Sequence, residues 1–202
     1  MPTALSTFLF WTWCPEFWCK AIANITDGPF GHMGVGFTLS DPSDPSHPSD
    51  IYYEALADQG WTGPHDLAVR RASFLSKDPR SVFVVVPLNL SEEVSEGKRQ
   101  QAQSMCGVWS YGKLQLASML LCERLWIPVP RSKTSVVCSE AVARILAPEF
   151  DLRDARRTSF DEVSPNSAWH RLLEIQSGHG AITAAPIPCP PILNRQSKIS
   201  NE

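Results

Sequence analysis

The first half of the chain carries patterns typical of β-strands. In residues 31–39, His32 and two glycines alternate with apolar residues, which is the spacing of a strand with two different faces. Ile51–Leu56 is rich in β-forming residues and follows a Pro/Ser/Asp segment, so we expect a loop at 40–50 and then the hairpin partner. Ser81–Pro87 is a nearly continuous β-branched run, which predicts a central strand covered on both faces.

The second half carries helical patterns. Ser91 is placed to cap a helix that runs to about Trp109, because two glutamates follow it in the first turn. Ser164 followed by Pro165 marks the start of a last helix, which runs to about Ile175. Two further helices are predicted between them, at Leu114–Leu125 and Thr134–Leu146. Because strands come first and helices later, the pattern predicts an α+β fold with a mainly antiparallel sheet packed against helices.

Composition favours one folded domain followed by a tail. The chain has 202 residues, of which 43% are hydrophobic and 19% charged, and this is enough to bury one core. Residues 177–202 combine glycine, proline and polar residues, as extended or disordered segments do. We therefore expect a single domain at 1–176 and a Pro-rich tail at 177–202.

The charge balance excludes some classes of protein. Lys and Arg number 18 against 21 Asp and Glu, a net charge of −3, and the basic residues are scattered. A nucleic-acid-binding protein needs clustered basic residues to neutralise phosphates, so no nucleic-acid partner is expected. Charged residues and a proline interrupt the most apolar stretch, 4–25, and no basic residues precede it. Neither a transmembrane span nor a signal peptide is therefore expected, and a cytoplasmic location follows unless another route releases the protein.

The six cysteines are too few for a disulfide framework in a chain of this length, so reduced thiols are expected. Cys14 and Cys19 are close in sequence, but no second Cys/His pair completes a zinc-binding spacing. A metal ion at these two cysteines is therefore not expected.

Cys138 is the candidate nucleophile. With Ser135 as N-cap, it would occupy the third position of the helix predicted at 134–146, where unpaired N–H groups and the helix dipole lower the pKa of a thiol. The same helix face carries apolar residues, so the sulfur is expected to point toward the sheet. A cysteine on an apolar helix face is also consistent with an inert small hydrophobe, and position alone does not decide between the two.

His32 and Glu54 are the candidate partners of that thiol. Gly34 and Gly36 share a strand face with His32, which predicts that something packs very close to the backbone beside the histidine. A helix start that carries the nucleophile would fit there. Glu54 lies in the partner strand, where its carboxylate can accept a hydrogen bond from the imidazole and fix its orientation. Taken separately, His32 fits an ordinary strand histidine and Glu54 a solvated carboxylate. Together, a thiol, an imidazole and an acid form a set suited to nucleophilic catalysis.

Five short motifs follow one another across residues 5–175. They are GHMGVGF at 31–37, YYEA at 52–55, VFVVV at 82–86, VVCSEAVARIL at 136–146 and SPNSAW at 164–169. This order resembles the circularly permuted NlpC-type papain-like cysteine hydrolases, especially their YiiX/YaeF-like branch, in which the histidine strand precedes the cysteine helix. The resemblance implies a papain-like fold with a permuted order of elements.

The resemblance also implies roles for individual residues. Cys138 corresponds to the nucleophile, His32 to the general base and then acid, and Glu54 to the residue that orients the imidazole. Tyr111 resembles a family tyrosine near the substrate, although an aromatic core residue at a helix end would look the same. Glu140, in the Cys-Ser-Glu triplet, is expected to support the helix. No cofactor is implied.

Three functions stay open on the sequence. The first is a thiol hydrolase that cleaves an amide bond through an acyl-thioester, for which the resemblance favours peptidoglycan stem peptides in a bacterial or phage setting. The second is an acyl hydrolase or acyltransferase on lipid esters, because the permuted group resembles lecithin:retinol acyltransferase-type enzymes. The aromatic segment 8–18, which we expect in the core, would then form an acyl-binding wall. The third is a non-catalytic binding module of the same fold. The acidic segment 40–50 departs from the family pattern at the rim of the cleft.

Overall fold

The computed structural model describes residues 3–26, 28–41, 44–112, 116–117, 135–153, 160 and 163–178. Its main feature is a five-stranded antiparallel sheet, which confirms the α+β class with a mainly antiparallel sheet. The strands are β1 (Thr3–Trp13), β2 (His32–Asp41), β3 (Asp44–Leu56), β4 (Gly60–Asp66) and β5 (Val82–Leu88). They lie in the order β4–β3–β2–β1–β5, so β1 and β2 are at the centre.

Helices follow and interrupt the strands. Those in the described part of the chain are α1 (Phe17–Ile25), α2 (Leu67–Lys77), α3 (Glu92–Met105), α4 (Cys138–Leu146) and α5 (Pro165–Gly178). The short strands β6 (Ser110–Tyr111) and β7 (Ser135–Val136) pair in parallel. The helix predicted at 114–125 falls mainly outside the described residues, as does the tail from residue 179.

Two helix starts follow from local sequence as expected. Ser91 is the N-cap of α3, and its hydroxyl accepts a hydrogen bond from the Val94 N–H. Pro165 is the first residue of α5, and the Ser164 hydroxyl accepts from the Ser167 N–H. A capping hydroxyl satisfies an N–H that has no partner within the helix, which fixes where the helix begins.

Both faces of the sheet are covered, but one packs against a larger hydrophobic core than the other. One face carries the main core together with α3, α4 and α5, and its fully buried side chains include Leu9, Trp11, Met33, Val35, Phe37, Tyr53 and Trp61. The opposite face carries a smaller aromatic cluster closed by α2, made of Phe8, Phe10, Tyr52 and Leu67 with Phe83 beside them. Alternation along each strand divides these residues between the faces.

Two sequence predictions about the strands are wrong. The described residues of the segment predicted as a loop, 40–41 and 44–50, are strand residues, because β2 runs to Asp41 and β3 begins at Asp44, with Thr38 paired to Asp50. The pairing between β3 and β4 ends at Ile51, so the preceding residues form an open edge that tolerates prolines. Val82–Leu88 is not a central strand but an edge strand whose residues alternate between buried and exposed.

The two glycines of β2 make room for aromatic rings rather than for a helix. Gly34 pairs with Phe10 and Gly36 with Phe8, and a Cβ on either glycine would lie 2.3 Å and 2.1 Å, respectively, from the neighbouring ring. The prediction that a helix start packs on this face is therefore wrong. The start of α4 instead joins the main core on the opposite face. There Cys138 reaches the beginning of β2, where it interacts with the Met33 backbone and with His32.

Candidate active site

The start of α4 holds Cys138 at a different helical position from the one predicted. Ser135 belongs to β7 and pairs with Ser110, so the N-cap is Val137 and Cys138 is the first residue of the helix. The side chain of Val137 offers no cap hydrogen bond. The first N–H groups of a helix have no acceptor within it, so this end of α4 favours a negative charge.

His32 and Glu54 are in direct contact. The His32 Nε2 and Glu54 Oε2 atoms lie 2.8 Å apart, with the Glu54 side chain 2% exposed and that of His32 17% exposed. His32 is the first residue of β2, and Glu54 lies on β3, the neighbouring strand. The strand alternation that puts Tyr53 and Ala55 in the main core turns Glu54 to the face of His32.

The Cys138 thiol and the His32 imidazole shift each other's pKa. Burial favours the neutral thiol, but the charge and hydrogen bond of His32 outweigh it and lower the pKa of Cys138. The backbone N–H groups of Met33 and Ser139 also donate toward the sulfur. Burial opposes the imidazolium as well, yet Cys138 and then Glu54 raise the pKa of His32 to about 10. These two opposite pKa shifts favour a thiolate paired with an imidazolium at neutral pH.

Glu54 has two further partners that sequence reasoning missed. The Arg70 Nη2 donates to Glu54 Oε2 at 3.1 Å, and the Tyr52 hydroxyl donates to Oε1 at 3.4 Å. Burial alone would raise the pKa of Glu54, but His32 and Arg70 together lower it, so the carboxylate stays ionised. Tyr52 shares the strand alternation of Glu54 and was predictable. Arg70 was not, because its contact depends on how α2 packs across the sheet.

Tyr111 lies beside the candidate nucleophile. It pairs with Val136 of β7, two residues before Cys138. Burial raises the pKa of its phenol, and the charges of Cys138 and Cys19 raise it further. Tyr111 therefore shares an electrostatic environment with the Cys138 sulfur, although its suggested role toward substrate stays a prediction.

The two residues after Cys138 hold the helix in place. The Ser139 hydroxyl donates to the Val163 carbonyl at 2.5 Å, and the Arg144 Nε donates to the fully buried Glu140 carboxylate at 2.8 Å. The first bond ties α4 to the residue before Ser164, and the second joins two residues one turn apart within α4. This agrees with the expectation that Glu140 supports the helix.

Asn166 fixes the segment that leads into His32. Its amide oxygen accepts from the Phe30 N–H and its amide nitrogen donates to the Phe30 carbonyl, each at 2.9 Å. The same nitrogen donates to the Thr26 hydroxyl. A Cβ at Gly28 would lie 2.4 Å from the Asn166 side chain, so a side chain there is excluded. The Ser-Pro-Asn motif therefore links the last helix to the residues before β2.

His65 of β4 and the aromatic segment 8–18 surround or underlie this set. The His65 ring lies 5.3 Å from that of Tyr52, the partner of Glu54. Phe8, Phe10 and Trp11 are buried, which supports the core interpretation for this part of segment 8–18, whereas Phe17 is 73% exposed.

Comparisons with known proteins leave the family open. No protein-family model matches the sequence, and no curated protein matches it significantly. Within the described residues, no group of three or more His, Cys, Asp and Glu side chains is arranged to hold a metal ion. None of the helices in the described ranges combines the length and apolar character needed to cross a bilayer.

Proposed function

We propose that this protein is a cysteine hydrolase with a papain-like fold in circularly permuted order. The observation that carries the proposal is the contact chain from the Cys138 thiol through the His32 imidazole to the Glu54 carboxylate. The order along the chain, with the histidine strand before the cysteine helix, supports the permuted arrangement. The antiparallel sheet with α4 packed on one face supports the papain-like fold.

The proposed reaction is acyl transfer in two steps. The Cys138 thiolate attacks the carbonyl carbon of an amide, and the N–H groups at the start of α4 stabilise the oxyanion. The His32 imidazolium gives its proton to the leaving amine, and an acyl-thioester remains on Cys138. His32 then removes a proton from water, which attacks the thioester and releases a carboxylic acid. Glu54 keeps the imidazole oriented through both steps.

The proposed substrate is an amide in a peptide, with peptidoglycan stem peptides favoured by the family resemblance. The rival substrate, a lipid ester, rests on the resemblance to lecithin:retinol acyltransferase-type enzymes, with added support from the aromatic residues of segment 8–18. Phe8, Phe10 and Trp11 are buried in the two cores, so they offer no surface to an acyl chain. The amide is therefore the stronger proposal.

Selective alkylation of Cys138 tests the thiolate. Native protein is treated with iodoacetamide from pH 5 to 9, and each cysteine is followed by mass spectrometry. We expect Cys138 to react below pH 7, well before Cys106, whose pKa burial raises. In His32→Ala the reaction of Cys138 below pH 7 should be lost, because the imidazolium no longer stabilises the thiolate.

His170→Ala is the matched control, since it removes an exposed histidine of α5 and should leave the profile unchanged. If Cys138 titrates near 8.5, like an ordinary thiol, and does not depend on His32, the chain is a binding module instead. When Cys138 does react as expected, a second assay separates the amide substrate from the lipid substrate. It compares turnover of a muropeptide with turnover of a short-chain thioester or a phospholipid.

A further inference from the structure

Cys14 and Cys19 form a second pair of sulfur atoms, in which Cys19 lies within electrostatic reach of Tyr111. Cys14 follows β1 directly and is buried, and Cys19 is half-buried in the first turn of α1. The two Sγ atoms lie 2.7 Å apart, with the Cys14 thiol donating to Cys19. A disulfide requires about 2.05 Å between the sulfurs, so a small side-chain adjustment brings this pair to bonding distance.

In the reduced protein, Cys19 holds its proton more tightly than an ordinary thiol. Burial raises the pKa of Cys19 to about 12, and the neighbouring Cys14 contributes to the rise. Among the residues that the structure describes, no third ligand joins the two sulfurs in a metal-holding group.

We propose that Cys14 and Cys19 are a redox-modification site, at which a small-molecule disulfide such as oxidised glutathione converts the two thiols into an intramolecular disulfide. Cys14, after losing its proton, attacks one sulfur of oxidised glutathione and releases the first glutathione thiolate. Cys19, deprotonated in turn, attacks the Cys14 sulfur of this mixed disulfide and releases the second. Two electrons and two protons pass from the protein to glutathione. No step uses Cys138, so the site is independent of the proposed hydrolase function.

The new bond would act beside His32. The Cys19 backbone lies against Gly31, where an added Cβ would be 2.7 Å from the Cys19 Cα. Gly31 in turn donates its N–H to the Thr12 carbonyl of β1. A Cys14–Cys19 disulfide therefore ties the first turn of α1 to the residue that follows β1, next to Gly31, the residue before His32. We expect the oxidised protein to melt at a higher temperature than the reduced protein.

The positions of the basic residues make the test direct. Lys20 is the first basic residue of the chain, so trypsin releases both cysteines in the single peptide 1–20. Full-length protein is equilibrated in glutathione buffers of increasing oxidising strength, quenched with acid, alkylated and digested. We expect the 1–20 peptide to lose two hydrogen atoms when the disulfide forms. The native protein should form it in a buffer at least about tenfold more reducing than the buffer in which the urea-unfolded chain forms it.

Two outcomes would overturn the proposal. In the first, the native protein needs a more oxidising buffer than its unfolded chain to form the disulfide. In the second, the 1–20 peptide carries glutathione on both thiols and no disulfide forms between them. Cys14→Ser and Cys19→Ser serve as controls. Each should retain one glutathione on its remaining thiol and show no rise in melting temperature on oxidation. An equal rise in Cys14→Ser would assign the effect to another cysteine and refute the site.

Discussion

Replacing Glu54 with glutamine tests whether the carboxylate maintains the charge on His32. Glutamine keeps an oxygen that can accept the hydrogen bond at 2.8 Å but removes the negative charge. A hydrogen bond to a charged group contributes about 1.5–3 kcal/mol, against about 0.5–1.5 kcal/mol between neutral groups. One pKa unit corresponds to about 1.36 kcal/mol, so the substitution should lower the pKa of His32 from about 10 to about 9.

The assay is an NMR titration of protein labelled at the histidine Cε1, with His32→Asn used to assign the His32 signal. In the wild type, the Cys138 thiolate raises the pKa of His32 more than Glu54 does, and Cys138→Ser removes this thiolate. The pKa of His32 should therefore fall in the order wild type, Glu54→Gln, Cys138→Ser. The order follows from the contacts and needs no substrate.

Glu96→Gln is the matched control for this titration. Glu96 is also an ion-paired carboxylate, bound to Arg99 at 2.6 Å on α3, so its loss perturbs the fold without altering the charge beside His32. An unchanged or raised His32 midpoint in Glu54→Gln would refute the role given to Glu54. An equal fall in Glu96→Gln would show that the shift reports a general loosening of the protein.

Three further predictions concern stability. Gly34→Ala should destabilise the protein by about 3 kcal/mol, because the new Cβ meets an aromatic ring at 2.3 Å. Gly97→Ala has nothing within 4 Å of the new Cβ and should stabilise α3 by about 0.5–1 kcal/mol. Urea unfolding of both variants measures the two changes. Asn166→Ala should lower the free energy of unfolding by about 2–4 kcal/mol, because it removes buried hydrogen bonds. Asn89→Ala, at an exposed position, should lower it by less than about 0.5 kcal/mol. Equal midpoints of thermal unfolding in the two variants would contradict this. The pKa of Glu54 is lowered on folding, so its contribution to stability is present above pH 4.5 and disappears as the pH falls through the lowered value. The gap in unfolding free energy between wild type and Glu54→Gln should accordingly shrink in acid, and a constant gap would show that Glu54 is not the group responsible.

Local patterns in the sequence predicted the elements that carry the candidate site. Alternation along β2 and β3 was sufficient to place His32 and Glu54 on one sheet face, because side chains in strands repeat every second residue. The hairpin between these strands then determined which residues are neighbours. The same logic failed at the start of α4, where Ser135 has the chemistry of an N-cap but is already paired as a strand residue.

Features that depend on packing between distant segments were beyond the sequence. The glycines of β2 signalled a close neighbour, but only the register with β1 shows that Phe8 and Phe10 occupy the space. Val82–Leu88 has the apolar run of a central strand, yet its position depends on the order of the whole sheet. Arg70 reaches Glu54 only because α2 lies across the small aromatic cluster, and no local pattern predicts that.

The contacts of α5 have a consequence for the order of events in folding. The Trp11 indole donates to the Pro165 carbonyl, and Asn166 bonds to Phe30, so residues near the start of the chain are completed by residues about 150 positions later. Contacts of such long range slow folding, because the intervening chain must be ordered before they form. On a ribosome, the segment before His32 would stay unanchored until α5 emerges. Activation of the Cys138 thiol would then be a late event, and a chain still being synthesised would carry an ordinary cysteine.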